Sequence, residues 1–220
     1  MELVKINMLG GFAVSVGNTE ICGPDTRRGQ LWNLLQYLVT FRHREIPAEE
    51  LQNALWPNGT GNPANALKNL VYRVRTTFEN AGIEDAKRLI LCKRGIYRLN
   101  ERIELWVDAE EFAAAAQLAS TAQGAERQDA LQRAARLYAG DYLSGEIRQA
   151  WVTPVREKLH SQYALCALPL MEQADEATDW EPLLALSGHS IEIDPFDGDA
   201  AYYRLRALLG LDQQPKALEY

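Results

Sequence analysis

Apolar and polar residues alternate from Leu3 to Leu9 and again from Phe12 to Val16, with Gly10-Gly11 between the two runs and Gly17-Asn18 after them. A period of two is the mark of a half-buried strand. The chain therefore opens on two short strands, and a third at Thr19 to Ile21 completes a small antiparallel sheet. The period then changes. Asp25 or Thr26 offers an N-cap, and Leu31, Leu34, Leu35, Leu38 and Val39 recur at helical spacing as far as Phe41. A shorter helix follows with Pro47 as its first residue, Glu49 and Glu50 in its first turn, Leu51, Ala54 and Leu55 as its apolar stripe, and Trp56-Pro57 as its stop.

The segment PANALKNLVYRVRTTF, residues 63 to 78, is the most regular in the chain. With Leu67 at zero and about 100° per residue, Val71, Val74 and Phe78 fall within roughly 40° of it, giving one core stripe. Asn65, Asn69, Tyr72 and Thr76 project from the opposite face, flanked by Lys68 and Arg73, while Arg75 lies about 80° from the stripe. Downstream, Leu89, Leu91, Ile96 and Leu99 alternate around a turn at Lys93-Arg94-Gly95, which predicts a hairpin.

Near Leu105 to Asp108 the pattern changes to helix for the rest of the chain. Asp108 is a candidate N-cap for DAEEFAAAAQLASTA, and helices are predicted over 126–138, 150–174, 180–193 and 198–209, with another starting at Pro215. Gly140, Asp179, the DPFDGD stretch and the 210–214 segment separate them. The last pair is spelled like a tetratricopeptide repeat, with small residues where helices approach closely. Lys216 to Tyr220 resembles the start of a helix that would continue, so the second domain is expected to be incomplete at its C-terminus or completed by a partner.

Composition narrows the class. With 220 residues, 47% hydrophobic and 24% charged, the chain can bury two modest cores, and the change of period divides it into domains at 1–107 and 108–220. No apolar run nears the roughly 20 residues of a membrane span, and MELVKINML lacks the features of a leader, so a soluble cytoplasmic protein with no membrane partner is expected. Cys22, Cys92 and Cys166 are far apart and suit a reducing compartment. Charge is placed unevenly: residues 1–107 hold 14 Lys and Arg against 11 Asp and Glu, a balance of +3, and residues 108–220 carry −10. Recognition is decided within a Debye length of about 8 to 10 Å, so the acidic total does not exclude a nucleic-acid partner for the front half.

Catalytic chemistry has no visible support. His43, His160 and His189 are isolated, no cysteine stands at metal-ligand spacing, and neither GxxxxGK[ST] nor GxGxxG occurs, so no metal, no cofactor and no enzymatic activity are expected. Acidic pairs such as Asp175-Glu176 and Asp197 with Asp199 read as a solvated face and a turn rather than an acid/base dyad or a calcium site.

The basic helix and the hairpin behind it point to DNA. An α-helix fits the major groove, where Arg or Lys can bond guanine, Asn can bond adenine, and hydroxyls can reach phosphate. Lys87, Arg88, Lys93, Arg94 and Arg98 concentrate five cations around the hairpin of an otherwise anionic chain, and arginine at its tip can enter a minor groove or pair with phosphate.

The order of strands, helices and basic hairpin resembles the OmpR/PhoB-type winged helix. NALxxxVxRxR, LGGFAVSV, and ARLYAGDYLSGE followed by Trp151 and VREKL resemble the SARP-type activators, which join that winged helix to a bacterial transcriptional activation domain. The resemblance implies an α+β winged helix at 1–107 followed by an all-α, tetratricopeptide-like helical-hairpin domain at 108–220. It further implies that Lys68, Asn69 and Arg73 face bases, that Asn65, Tyr72 and Arg75 meet the backbone, and that Lys93 and Arg94 form the wing tip. Double-stranded DNA and RNA polymerase are the implied partners, with a homodimer for the helical domain. OmpR-type wings commonly read RGxGY, whereas here RGIY puts Ile96 where a glycine would permit positive φ, which moves the turn onto Gly95. The rival expectation is a protein-binding adaptor that keeps the winged helix as a scaffold without DNA binding.

Overall fold

A computed structural model describes residues 3–23, 29–145 and 149–219. They divide into two compact units. In chain order the first holds β1 (Val4–Asn7), β2 (Ala13–Val16), β3 (Thr19–Cys22), α1 (Gln30–Thr40), β4 (Ile46–Pro47), α2 (Ala48–Leu55), α3 (Pro63–Asn80), β5 (Ile90–Lys93), β6 (Ile96–Leu99) and β7 (Leu105–Val107). One sheet has the order β3-β2-β1-β7, with β1 antiparallel to β2 and parallel to β7. The other has the order β4-β6-β5 and is antiparallel throughout.

The period-two pattern becomes burial in β1, where Val4 and Ile6 face the core and Lys5 and Asn7 face out. That strand ends at Asn7, two residues before its sequence pattern does. The backbone N–H groups of Met8 and Leu9 turn away to the Asp108 carboxylate, at 2.7 and 3.0 Å, and Met8–Gly11 packs with the second unit. The predicted caps Asp25 and Thr26 lie outside the described residues; α1 begins at Gln30 after an extended Gly29. Pro47 precedes α2 rather than starting it. Its φ of −63° and ψ of 147° are extended, and it pairs with Ile96, so the helix begins at Ala48.

The second unit is helical: α4 (Asp108–Thr121), α5 (Gly124–Leu137), α6 (Val152–Glu176), α7 (Trp180–Ile193), α8 (Gly198–Gly210) and α9 (Gln214–Glu219), each packed on the next along the chain. Buried alanines at 115, 116, 119, 130 and 134 let helices approach closely, while Phe112, Tyr138 and Tyr163 fill the interior, the two tyrosine rings stacked at 4.5 Å. Asp108 is the first residue of α4 rather than a cap on its next turn. Its carboxylate accepts from Met8, Leu9 and its own neighbour Ala109. Gly10 sits against Gly140: a Cβ on Gly10 would lie 2.9 Å from the Ala139 carbonyl oxygen, and its N–H donates to the carbonyl of Gly140. With φ of 74° as well, only glycine suits this crossing. No helix among the described residues is long and apolar enough to cross a membrane.

Candidate nucleic-acid interface

The α3 helix starts where its sequence dictates. Asn62 caps it, its side-chain oxygen accepting from the Asn65 N–H at 3.0 Å, and Pro63 occupies the first turn, where no N–H is needed. Leu67, Val71, Val74 and Phe78 are buried as the wheel requires, and Leu70 joins them. Against α1 and α2 this stripe fixes the rotation of the helix, which leaves Asn65, Lys68, Asn69, Tyr72 and Arg73 exposed. Tyr72 is 68% exposed, an unusual position for an aromatic ring in the middle of a helix. None of Lys68, Asn69, Tyr72 or Arg73 spends its side chain on a hydrogen bond or ion pair with a described residue. The face offers two cations, two amides and a phenol to whatever meets it.

Arg75, to which the resemblance gives a phosphate contact, has a partner within the first unit. It is half-buried and turned inward, and its guanidinium donates to the carbonyl of Ile90, tying α3 to the start of the hairpin. At 80° from the core stripe a long side chain can reach either way, and the hairpin carbonyl is the nearer acceptor within this unit.

The hairpin pairs Lys93 with Ile96 across a two-residue turn, Arg94-Gly95. Both turn residues have positive φ, 52° and 78°, the signature of a type I′ turn whose twist matches that of the flanking strands. Gly95 thus takes the conformation that a glycine at position 96 would have provided, and Ile96 lies in β6. Arg94 holds a left-handed conformation that non-glycine residues resist. The turn is fixed from behind, since the Gly95 carbonyl accepts from the Ala48 N–H at 2.8 Å. Lys93, Arg94 and Arg98 are exposed, whereas Lys87 is paired with Glu79 at 3.0 Å and is partly neutralised. Tyr97 points inward opposite Cys92; burial, reinforced by a hydrogen bond with Cys92, pushes its phenol up to about 12.

Two placements had no forecast. The Asn62 cap was legible in Asn-Pro ahead of an apolar-periodic run. Trp151 stands out in the sequence without a role; it packs edge-on against Tyr37 at 5.1 Å and against Phe41 at 6.0 Å in the first unit, and no local pattern announces that contact. Among the described residues no group of histidines, cysteines and carboxylates could hold a metal ion.

The chain thus joins an α+β unit, which presents a polar helix face, to a helical unit. Residues 107–220 match the family described as bacterial transcriptional activator domain. The chain belongs to that family, which is one of transcription regulators and not of enzymes. A search of curated proteins found no match. Among solved structures, the chain is similar to EmbR of Mycobacterium tuberculosis, a structure described as in complex with a low-affinity phosphopeptide, with a TM-score of 0.70 and 19% identity. The similarity covers 100% of this chain and 58% of that one.

Proposed function

We propose that the chain is a SARP-type activator that binds promoter DNA in a sequence-specific way. The first 107 residues act as an OmpR/PhoB-type winged helix, and residues 108–220 act as a tetratricopeptide-like activation domain. The observation that carries this reading is the outward face of α3, where Lys68, Asn69, Tyr72 and Arg73 are exposed and make no side-chain hydrogen bond or ion pair with a described residue. Lys68, Asn69 and Arg73 read base edges in the major groove. Asn65 and Tyr72 bond the phosphate backbone, and Lys93 and Arg94 at the hairpin tip add phosphate or minor-groove contacts. Arg75 acts as a positioning residue that holds the hairpin to α3, in keeping with its bond to Ile90. The helical domain contacts RNA polymerase and supports a homodimer, so two copies would read repeated half-sites.

Selection of bound sequences from a random duplex pool, followed by titration of the selected duplex and a scrambled one at several salt concentrations, tests the proposal. A selected motif with steeply salt-dependent affinity is the expected result. Absence of salt-dependent duplex binding would sink it and leave the adaptor expectation standing.

A further inference from the structure

Among α4, α5 and α6 of the helical unit lies a cavity of about 280 Å3 that the DNA reading does not use. Ala119, Leu131 and Cys166 form a buried apolar surface in it, and Leu165 adds a lip that is 75% exposed. Gln117, Ser120, Arg127 and Gln162 are the polar residues of this lining, and the last two carry groups that the protein leaves without a partner. The Arg127 side chain makes no ion pair or hydrogen bond with a described residue, and its charge reaches into the site, where it opposes the upward push of burial on the Cys166 thiol. The Gln162 Oε1 atom is buried and accepts no hydrogen bond from the protein. No carboxylate lines the cavity, although residues 108–220 carry a balance of −10.

Each feature selects a ligand group. An uncommitted guanidinium beside an apolar wall recognises a carboxylate, which it can bind through two parallel N–H bonds. A buried acceptor without a partner is satisfied by an O–H or N–H donor. The volume lies at the small end of ligand pockets, which run from about 300 to 1,000 Å3, so the apolar body must be short. We propose that this cavity binds a small amphipathic carboxylate that also bears a hydroxyl or amide donor. The carboxylate pairs with Arg127, the donor bonds Gln162 Oε1, and the chain lies against Ala119, Leu131 and Leu165. The site stands on its own geometry and is independent of whether α3 binds DNA.

Calorimetric titration of the full chain with 3-hydroxyoctanoate, octanoate and 1-octanol tests this. One equivalent of 3-hydroxyoctanoate should bind, octanoate should bind about five- to tenfold more weakly for want of the donor, and 1-octanol should bind at least about tenfold more weakly than octanoate for want of the charge. Arg127→Gln, at an exposed position, should reduce octanoate to the level of 1-octanol. Gln162→Leu should abolish the preference for the hydroxy acid, and Ala119→Leu, which fills the cavity, should abolish binding while circular dichroism shows the helices intact. The proposal is overturned by any of three results: no saturable binding of 3-hydroxyoctanoate, equal binding of 1-octanol, or binding that survives both Arg127→Gln and Ala119→Leu.

Discussion

Single side chains in this protein divide between those that meet a partner and those that hold the chain, and substitution separates them. Arg73 is exposed and uncommitted, so Arg73→Ala should leave folding unchanged. It should cost about 1 to 3 kcal/mol on the selected duplex and much less on a scrambled one. Equal losses on both duplexes would move Arg73 from base readout to backbone contact. At Arg94, φ of 52° costs the fold something that Asn tolerates better, and Asn-Gly is the favoured type I′ pair. Arg94→Asn should therefore keep or raise thermal stability, by up to about 1 kcal/mol, while weakening all duplexes alike and flattening the salt slope by about one unit. Asp108 is a different case. Burial raises its carboxyl from 3.8 to about 6 against three backbone N–H bonds that favour the charge. The folded chain then holds this proton more tightly than the unfolded chain does. Its contribution to stability is complete below about pH 4 and is lost as pH rises through 6, by up to about 3 kcal/mol. Denaturant midpoints from pH 3.5 to 7 should show that the difference between wild type and Asp108→Asn shifts against wild type over that window; a constant difference would refute it.

Elements show how local rules and packing share the work. The α3 helix was legible almost whole: the 3.6-residue stripe that buries Leu67, Val71, Val74 and Phe78 leaves only one rotation for the remaining face. The hairpin was legible in its alternation and its Gly95, but not in its attachment. Arg75 reads as a surface cation because nothing along the sequence reveals that the Ile90 carbonyl lies within its reach. Arg75→Met keeps the apolar stem and removes the donor. It should destabilise the chain by about 1 to 3 kcal/mol through the stranded carbonyl, with the salt slope of duplex binding unchanged. A slope flattened by one unit at unchanged stability would return Arg75 to the phosphates. The early end of β1 has the same origin, since the apolar pattern runs on to Leu9 while the Asp108 carboxylate draws the backbone of residues 8 and 9 away.

Across the whole molecule, the acidic balance of residues 108–220 and the basic balance of residues 1–107 confine attraction for an anionic partner to the front half. Among the described residues of α3 and the hairpin region, the exposed cations without an ion pair are Lys68, Arg73, Arg88, Lys93, Arg94 and Arg98, while Lys87 is paired to Glu79. At about 0.9 counterion per phosphate contact, the slope of log affinity on log salt for one chain that uses these cations should be no steeper than about −5.4. A steeper slope would require cations from elsewhere or a second copy on the duplex. The sequence by itself determined most of the element types, though not the short strand β4, together with the core face of α3, the site of the hairpin turn and the charge of each half, because periodicity, turn chemistry and charge act over a few residues. Tertiary structure alone decided that the glycines of LGGF and YAGDY touch at Gly10 and Gly140, that Asp108 holds Met8 and Leu9, and that Arg75 serves the hairpin. Those contacts join residues far apart in the chain, and which buried donor finds which acceptor is settled only when packing brings them together.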